Sequence, residues 1–141
     1  MWSFAHAKLK RTHRQVERCK VLIADDSDRA RNGLRALLAI RQEIEIVGEA
    51  ADGREAVEMV REHQPDVVLM DARMPHMDGL EATRQIKARW PEVRVVVVTM
   101  YVSRRAEAQA AGVDGFLRKG GPVEELLSAI LETGPYGSKT F

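Results

Sequence analysis

Four apolar runs of the sequence each end in side chains that can do chemistry. Asp25 and Asp26 follow residues 21–24, Asp71 follows residues 67–70, Thr99 follows residues 95–98, and Lys119 follows residues 116–118. In wound α/β sheets, ligands bind outside the carboxyl ends of the strands. If these runs are parallel strands, we expect the three acids, the hydroxyl and the amine to share one polar site.

Asp25, Asp26 and Asp71 form a candidate metal site. Crowded carboxylates raise each other's pKa values unless a cation neutralises them, and oxygen ligands with high negative charge select Mg²⁺. We expect Asp26, Asp71 and one backbone carbonyl to supply the protein ligands. A carboxylate beside such an ion can also act as a nucleophile. In phosphoryl transfer, Lys119 and the metal would neutralise charge, and Thr99 would donate a hydrogen bond.

Five β-type runs alternate with amphipathic helical runs along the chain. The predicted strands are residues 20–24, 43–50, 66–70, 93–98 and 115–118. The first, third and fourth are almost entirely apolar, which is typical of strands covered by helices on both faces. The second alternates polar and apolar residues, so it is predicted at an edge. Right-handed crossovers then give an α/β, flavodoxin-like (βα)₅ doubly wound parallel sheet with strand order 2-1-3-4-5.

Capping residues mark the ends of the predicted helices. Ser27, Asp78 and Ser103 are N-cap candidates for the first, third and fourth helices. Pro122 suits the start of the last helix, because a first helical residue needs no N–H. Gly112 is suited to end the fourth helix in a left-handed conformation.

The bulk composition favours one domain in a reducing compartment. A length of 141 residues suits a single domain, and the lone Cys19 has no second thiol to pair with. No apolar run approaches the roughly 20 residues that span a bilayer. We therefore expect a cytoplasmic protein without membrane contact.

Charge divides the chain into a basic arm and an acidic body. Residues 1–20 carry a local charge of +5 within a net charge of +1, which leaves −4 on the remaining 121 residues. A body of that sign repels nucleic acid, and the arm is either a solvated extension or a nucleic-acid arm. The predicted organisation is a basic N-terminal extension over 1–19, a compact domain over 20–132, and a tail or linker start over 133–141.

Several motifs together resemble the receiver domain of a two-component response regulator. They are the acidic pair within LIADDS (residues 22–27), the segment VLMDARMPHMDG (residues 68–79), the strand-end Thr99, and GFLRK (residues 115–119). The segments VGEA (47–50), TMY (99–101) and PVEELL (122–127) are most similar to the transcription-regulator subfamily of the LuxR or NarL type. The resemblance spans residues 20–132.

The resemblance implies a role for each residue of the metal and acceptor site. Asp71 would be the phosphoacceptor, and Asp25 and Asp26 would form the acidic metal pocket with it. Arg73 would lend its backbone carbonyl to Mg²⁺.

The resemblance also implies how the signal is read and passed on. Thr99 and Lys119 would contact the phosphate, and the rotamer of Phe116 would report the state of the switch. The phosphoryl group would come from a phosphohistidine on a partner sensor histidine kinase. Such domains catalyse only their own phosphotransfer and dephosphorylation, and the expected output is dimerisation in the service of transcription control. DNA would be bound only through an effector domain that these 141 residues do not contain.

Two features depart from the pattern of the family. Many receivers follow the lysine with a proline, whereas this chain has Gly120 and Gly121, so Lys119 should be less rigidly aimed. Arg73 lies two residues after Asp71 and Tyr101 two after Thr99, at positions that in the family flank the path of attacking water. We expect slow self-dephosphorylation from their bulk.

Three rival functions use the same observations. A metal-dependent phosphatase with an aspartyl intermediate would want its nucleophile on the first strand and room for a substrate cap. A flavodoxin proper would bind FMN through a Gly/Ser/Thr-rich loop after that strand, where Asp25, Asp26 and Asp28 would repel phosphate. A docking module of receiver shape would never be phosphorylated.

Overall fold

The computed structural model describes residues 17–131, within which five β-strands alternate with five α-helices. The predicted tail over 133–141, and all but the last three residues of the predicted extension over 1–19, lie outside the described residues. The strands are β1 Cys19–Ala24, β2 Ile44–Ala50, β3 Val67–Met70, β4 Arg94–Thr99 and β5 Gly115–Arg118. The helices are α1 Asp28–Ala39, α2 Gly53–His63, α3 Gly79–Arg89, α4 Arg105–Ala111 and α5 Val123–Leu131, with a 3₁₀ turn at Val102–Arg104.

The strands form one parallel sheet in the order β2-β1-β3-β4-β5, which confirms the predicted fold class. The apolar strands β1, β3 and β4 are internal, and the alternating strand β2 lies at an edge, as predicted. Thr99 is the last residue of β4 rather than the first residue after it. Because all five strands are parallel, the loops that follow them lie at the same edge of the sheet.

Alternate residues of the central strands supply two cores, one on each face. Leu22, Val68 and Val97 pack with α2, α3 and α4, whereas Val21 and Leu69 pack with α1 and α5. Burial on both faces accounts for the apolar composition of these strands. Packing on both faces thus holds the sheet, and it fixes the positions of the carboxyl ends of the strands.

Side-chain caps begin three of the helices. The Ser27 hydroxyl accepts a hydrogen bond from the Ala30 N–H at 3.1 Å, and the Asp78 carboxylate accepts one from the Glu81 N–H at 2.8 Å. Both caps confirm the prediction. Asp52 caps α2 in the same way.

The predicted Ser103 cap is wrong. Ser103 lies in the middle of the 3₁₀ turn, and α4 begins at Arg105 with no side-chain cap. The Arg104 N–H instead donates to the Tyr101 carbonyl at 3.0 Å, so a backbone bond tightens the start of this helix. Gly112 ends α4 with a φ of 92°, as predicted, and Pro122 immediately precedes α5.

Membrane insertion has no support in the described part of the chain. Across residues 17–131, every helix is too short or too polar to cross a bilayer.

Candidate functional site

The polar residues predicted from the sequence lie at four neighbouring strand ends. The Asp71 N–H donates to the Ala24 carbonyl at 2.9 Å, and the Lys119 N–H donates to the Thr99 carbonyl at 3.0 Å. These bonds join β3 to β1 and β5 to β4 just where the strands stop. The backbone of the site is therefore set by sheet register, before any side chain interacts.

Three carboxylates meet at this edge. Oxygen atoms of Asp25, Asp26 and Asp71 all lie within 4.8 Å of one another. Asp25 and Asp71 are buried, with exposures of 2% and 8%, whereas Asp26 is exposed. Carboxylate oxygens are the donors that Mg²⁺ prefers, and the exposed Asp26 gives a hydrated ion a route to the two buried acids. The donor set therefore fits a hard divalent cation.

Lys119 reaches into the same cluster from β5. Its Nζ lies 2.7 Å from Asp25 Oδ2 and 3.4 Å from Asp71 Oδ2. Burial by itself would lower the pKa of Lys119, but the hydrogen bond to Asp25 and the charges of both acids outweigh it and raise that pKa. Lys119 is therefore a cation at neutral pH, and it links the two buried carboxylates.

The surroundings of Asp71 favour its neutral form, whereas those of Lys119 favour the charged form. Burial, followed by the charge of Asp25, raises the pKa of Asp71 above the ordinary value, and Lys119 with the Arg73 backbone N–H only partly offsets this rise. The Asp71 carboxylate is thus less stabilised than an ordinary surface acid. An additional cation in the cluster would lower its pKa and favour the ionised, nucleophilic form.

Thr99 ends β4, but its hydroxyl forms no hydrogen bond with the three acids, and Phe116 is the second residue of β5. Thr99 is fully buried, and its hydroxyl accepts a hydrogen bond from the Tyr101 N–H at 3.0 Å. Phe116 is 3% exposed and belongs to the core on the α3 and α4 side, with the Arg105 guanidinium carbon 5.0 Å from its ring centroid. Thr99 is thus bonded to the segment between β4 and α4, whereas Phe116 contacts the first residue of α4.

The β3–α3 loop, residues 71–78, is held by very close backbone contacts. The Gly79 N–H donates to the Ala72 carbonyl at 2.9 Å, and a Cβ at Gly79 would lie 1.8 Å from the Asp71 carbonyl oxygen. At the other side of the loop, the Gly53 N–H donates to the Met77 carbonyl at 2.9 Å, and a Cβ there would lie 2.2 Å from that oxygen. Only glycine permits either approach.

Two further pairs join the β3–α3 loop to the segment between β4 and α4. The Arg73 side chain is exposed and lies over the Tyr101 ring, 4.8 Å from its centroid. Arg104 Nη2 lies 3.6 Å from Asp78 Oδ2 and 2.8 Å from Glu107 Oε2. The two bulky side chains that the sequence predicted near Asp71, those of Arg73 and Tyr101, therefore contact each other across the two loops.

The sequence alone did not single out Gly53 or Arg104 as neighbours of the site, and it placed Gly79 at the end of the 68–79 segment without indicating its contact with Asp71. Gly79 follows a capping aspartate, where a glycine has no evident purpose until the nearby Asp71 carbonyl is known. Gly53 belongs to a different βα unit. Arg104 carries no local signature because it is the last residue of a 3₁₀ turn that the helical pattern did not reveal.

Comparison with known proteins matches residues 21–131 to the response regulator receiver domain family. The chain belongs to that family. Its relatives include regulators of the LuxR and NarL type, which supports the assignment to this subfamily. Receiver domains bind Mg²⁺ at an acidic pocket. A response regulator protein, VraR, from Staphylococcus aureus is 38% identical over 116 residues, which are 81% of this chain and 56% of that protein. The chain thus spans about half the length of such relatives.

Solved structures agree with the family assignment of the receiver. The signal receiver domain of a response regulator called NarL, from Mycobacterium tuberculosis, is 32% identical with a TM-score of 0.78, covering 82% of this chain and 95% of that one. A CheX–CheY–BeF₃–Mg²⁺ complex from Borrelia burgdorferi contains a chain that is 28% identical with a TM-score of 0.70, covering 77% and 83%. The fold and the family are thus established together.

Proposed function

We propose that Asp71 accepts a phosphoryl group from a phosphohistidine on a partner sensor histidine kinase. The observation that carries this proposal is the buried Asp71 carboxylate, within 4.8 Å of two further acids and 3.4 Å from the Lys119 ammonium. A nucleophile, a hard-cation site and a fixed positive charge are the parts that phosphoryl transfer needs. The membership of the receiver family supports the same assignment.

In the proposed reaction an Asp71 carboxylate oxygen attacks phosphorus. A new P–O bond forms as the P–N bond to the donor imidazole breaks, and the electron pair goes to the imidazole nitrogen, which takes up a proton. Asp71 must be ionised to attack, so neutralisation of the charge of Asp25 favours the reaction. Lys119 would move from the two carboxylates to an oxygen of the transferred group, and the Thr99 hydroxyl would donate to another.

Asp25, Asp26, Asp71 and the Arg73 backbone carbonyl would hold Mg²⁺. The bound ion would neutralise the crowded carboxylates and the phosphoryl oxygens. The relative solved with BeF₃ and Mg²⁺ supports this choice of metal. The exposure of Asp26 is consistent with an ion that keeps several waters, as Mg²⁺ does.

The output would follow from the charge placed on Asp71. Phosphorylation adds about −2 of charge and new hydrogen-bond acceptors, which would draw Thr99 and Lys119 inward. The Tyr101 N–H would lose its bond to the Thr99 hydroxyl, and Phe116 would report the change. We propose a homodimer as the output form and transcription control in the cytoplasm as the use, with DNA bound by an effector domain outside residues 1–141.

The test of the proposed function is intact mass after incubation with phosphoramidate and Mg²⁺. We expect the wild-type protein to gain the mass of one phosphoryl group, and Asp71→Asn or added EDTA to prevent the gain. Asp28→Asn is the matched control, because it removes an exposed carboxylate at the start of α1. A wild-type protein that stays unmodified would favour the docking module, whereas turnover of a small phosphate ester would favour the phosphatase.

The Mg²⁺ site has its own test. Isothermal titration calorimetry should detect Mg²⁺ binding to the wild-type protein and weaker binding to Asp26→Asn. Asp26 is exposed, so this variant should keep the fold. Equal affinities would remove Asp26 from the ligand set.

We also propose that Arg73 and Tyr101 slow the loss of the phosphoryl group. The Arg73 guanidinium carbon lies 4.8 Å from the Tyr101 ring centroid, and Arg73 is two residues from Asp71 in the same loop, which supports a shielding role. The double variant Arg73→Ala with Tyr101→Ala should shorten the lifetime of phosphorylated Asp71, measured by mass after removal of the donor. An unchanged lifetime would refute the role.

A further inference from the structure

Two side-chain pairs connect the β3–α3 loop to the segment between β4 and α4, and an arginine from each side takes part. Arg73, in the β3–α3 loop, lies over Tyr101 in the segment between β4 and α4. Arg104, at the end of that segment, reaches back to Asp78 at the end of the β3–α3 loop, with Nη2 3.6 Å from Oδ2. Arg73, Asp78 and Arg104 also line one open polar cleft with Asp26. The second pair therefore lies next to the site but is not used in the reaction.

The chain between Tyr101 and Arg104 is short and internally bonded. The 3₁₀ turn Val102–Arg104 is closed by the Arg104 N–H, which donates to the Tyr101 carbonyl at 3.0 Å. The Tyr101 N–H donates to the Thr99 hydroxyl at 3.0 Å. Because the turn is closed, a displacement of Arg104 displaces Tyr101 with it.

Asp78 is a fixed point for this segment. Its carboxylate caps α3 through the Glu81 N–H, and the adjacent Gly79 packs against the backbone of Asp71. The segment itself has little packing to hold it, because Met100, Tyr101 and Val102 are 66%, 44% and 40% exposed. An ion pair to this fixed point therefore adds to the few contacts that locate the Tyr101 ring.

We propose that Arg104 is a positioning residue that holds Tyr101 over Arg73 through its ion pair with Asp78, and thereby limits the access of water to phosphorylated Asp71. This inference rests on the proposed function. In the hydrolysis that it slows, a water oxygen bonds to phosphorus and the P–O bond to Asp71 breaks. The electron pair returns to the carboxylate, and phosphate leaves with the water protons shared between it and solvent.

Two variants remove the ion pair by different routes. Asp78→Asn keeps an N-cap oxygen for α3 but loses the charge, and Arg104→Gln removes the other partner. A partly exposed ion pair is a weak interaction, so each variant should shorten the lifetime of the phosphoryl group by about two- to fivefold. Glu107→Gln is the matched control, because it removes the other partner of Arg104, on α4, and leaves the contact with Asp78. We expect no shortening in that control.

Combination with Tyr101→Ala separates positioning from a direct effect. If Arg104 acts through Tyr101, Asp78→Asn should shorten the lifetime no further once Tyr101 is alanine. In the unphosphorylated protein, Asp78→Asn and Arg104→Gln should both speed hydrogen exchange at the Tyr101 and Arg104 amides by a similar factor, and Glu107→Gln should not.

The outcomes distinguish this inference from the proposed function. A wild-type protein that gains no phosphoryl group overturns both. A protein that is phosphorylated, but in which both variants keep the wild-type lifetime, overturns only the role of Arg104. A shortening that adds to that of Tyr101→Ala also overturns it, because the effect would then not pass through Tyr101.

Discussion

The loop that carries the acceptor and the loop that carries the lysine are built in opposite ways. The β3–α3 loop is enclosed by Gly53 and Gly79, whose missing side chains allow backbone contacts with Met77 and Asp71. The β5–α5 loop contains Gly120, which has a φ of 80° and no atom within 4 Å of the position of a Cβ. The nucleophile is therefore fixed by packing, whereas the cation is carried by an open turn.

The difference suits a reaction in which one group stays and another moves. Asp71 must be aligned with phosphorus for an in-line attack. Lys119, which bridges Asp25 and Asp71, must leave that bridge to meet a phosphoryl oxygen. A glycine turn gives this freedom without disturbing the sheet, because the Lys119 N–H stays bonded to Thr99.

The largest expected effect is that of a substitution at Gly79, which tests whether the β3–α3 loop is fixed by close backbone packing. Gly79→Ala should destabilise the fold by about 3 kcal/mol or more, because its Cβ would overlap the Asp71 carbonyl and force the loop outward. Urea unfolding measures the loss. Gly33→Ala, in the open middle of α1, is the matched control and should instead stabilise by about 0.5–1 kcal/mol. Equal effects of the two substitutions would contradict the contrast between the loops.

The second effect tests the cation. Lys119→Gln should destabilise by about 1–2 kcal/mol at pH 7, less than for a fully buried pair because Lys119 is partly exposed. The folded-state pKa of Lys119 is raised, so its stabilisation is present below the usual lysine pKa and is lost as pH rises through the folded value. The gap between wild type and variant should therefore close above about pH 10.4. A gap that persists there would mean that the lysine stem, not the charge, stabilises the fold.

The third effect tests the crowded acid. Asp71→Asn should stabilise the protein by about 1 kcal/mol at pH 7 without Mg²⁺, because the raised pKa of Asp71 means that its ionisation opposes folding. For an acid with a raised pKa, stability is fully present below the unfolded value and is lost as pH rises through the folded one. The difference should thus vanish near pH 4, about the usual value for aspartate. Thermal unfolding measured from pH 4 to pH 7 would show this stability difference. A variant less stable than wild type at pH 7 would refute the claim that ionisation of Asp71 opposes folding.

The smallest effect tests the open turn. Gly120→Ala should cost about 1 kcal/mol, since alanine resists a positive φ but meets no neighbouring atom. Gly120→Asn should cost still less, because asparagine tolerates this conformation. If either variant destabilised as much as Gly79→Ala, the β5–α5 loop would be as constrained as the acceptor loop.

The sequence predicted the fold class because its information was local. Apolar runs, alternation in β2 and caps such as Ser27 and Asp78 each act within a few residues. The predicted strand bounds differ from the observed ones by at most one residue, as at Thr99. The failure at Ser103 also has a local cause, since a backbone hydrogen bond replaced the side-chain cap.

The sequence by itself determined which side chains arrive at one edge of the sheet, because strand order and residue type follow from hydrophobic pattern and the handedness of crossovers. Only the tertiary structure decided which of them touch. The bridge from Lys119 to two acids, the glycine contacts around Asp71 and the pair of Asp78 with Arg104 join different βα units. Such contacts depend on distances of a few ångströms between elements, which packing fixes and residue pattern does not encode.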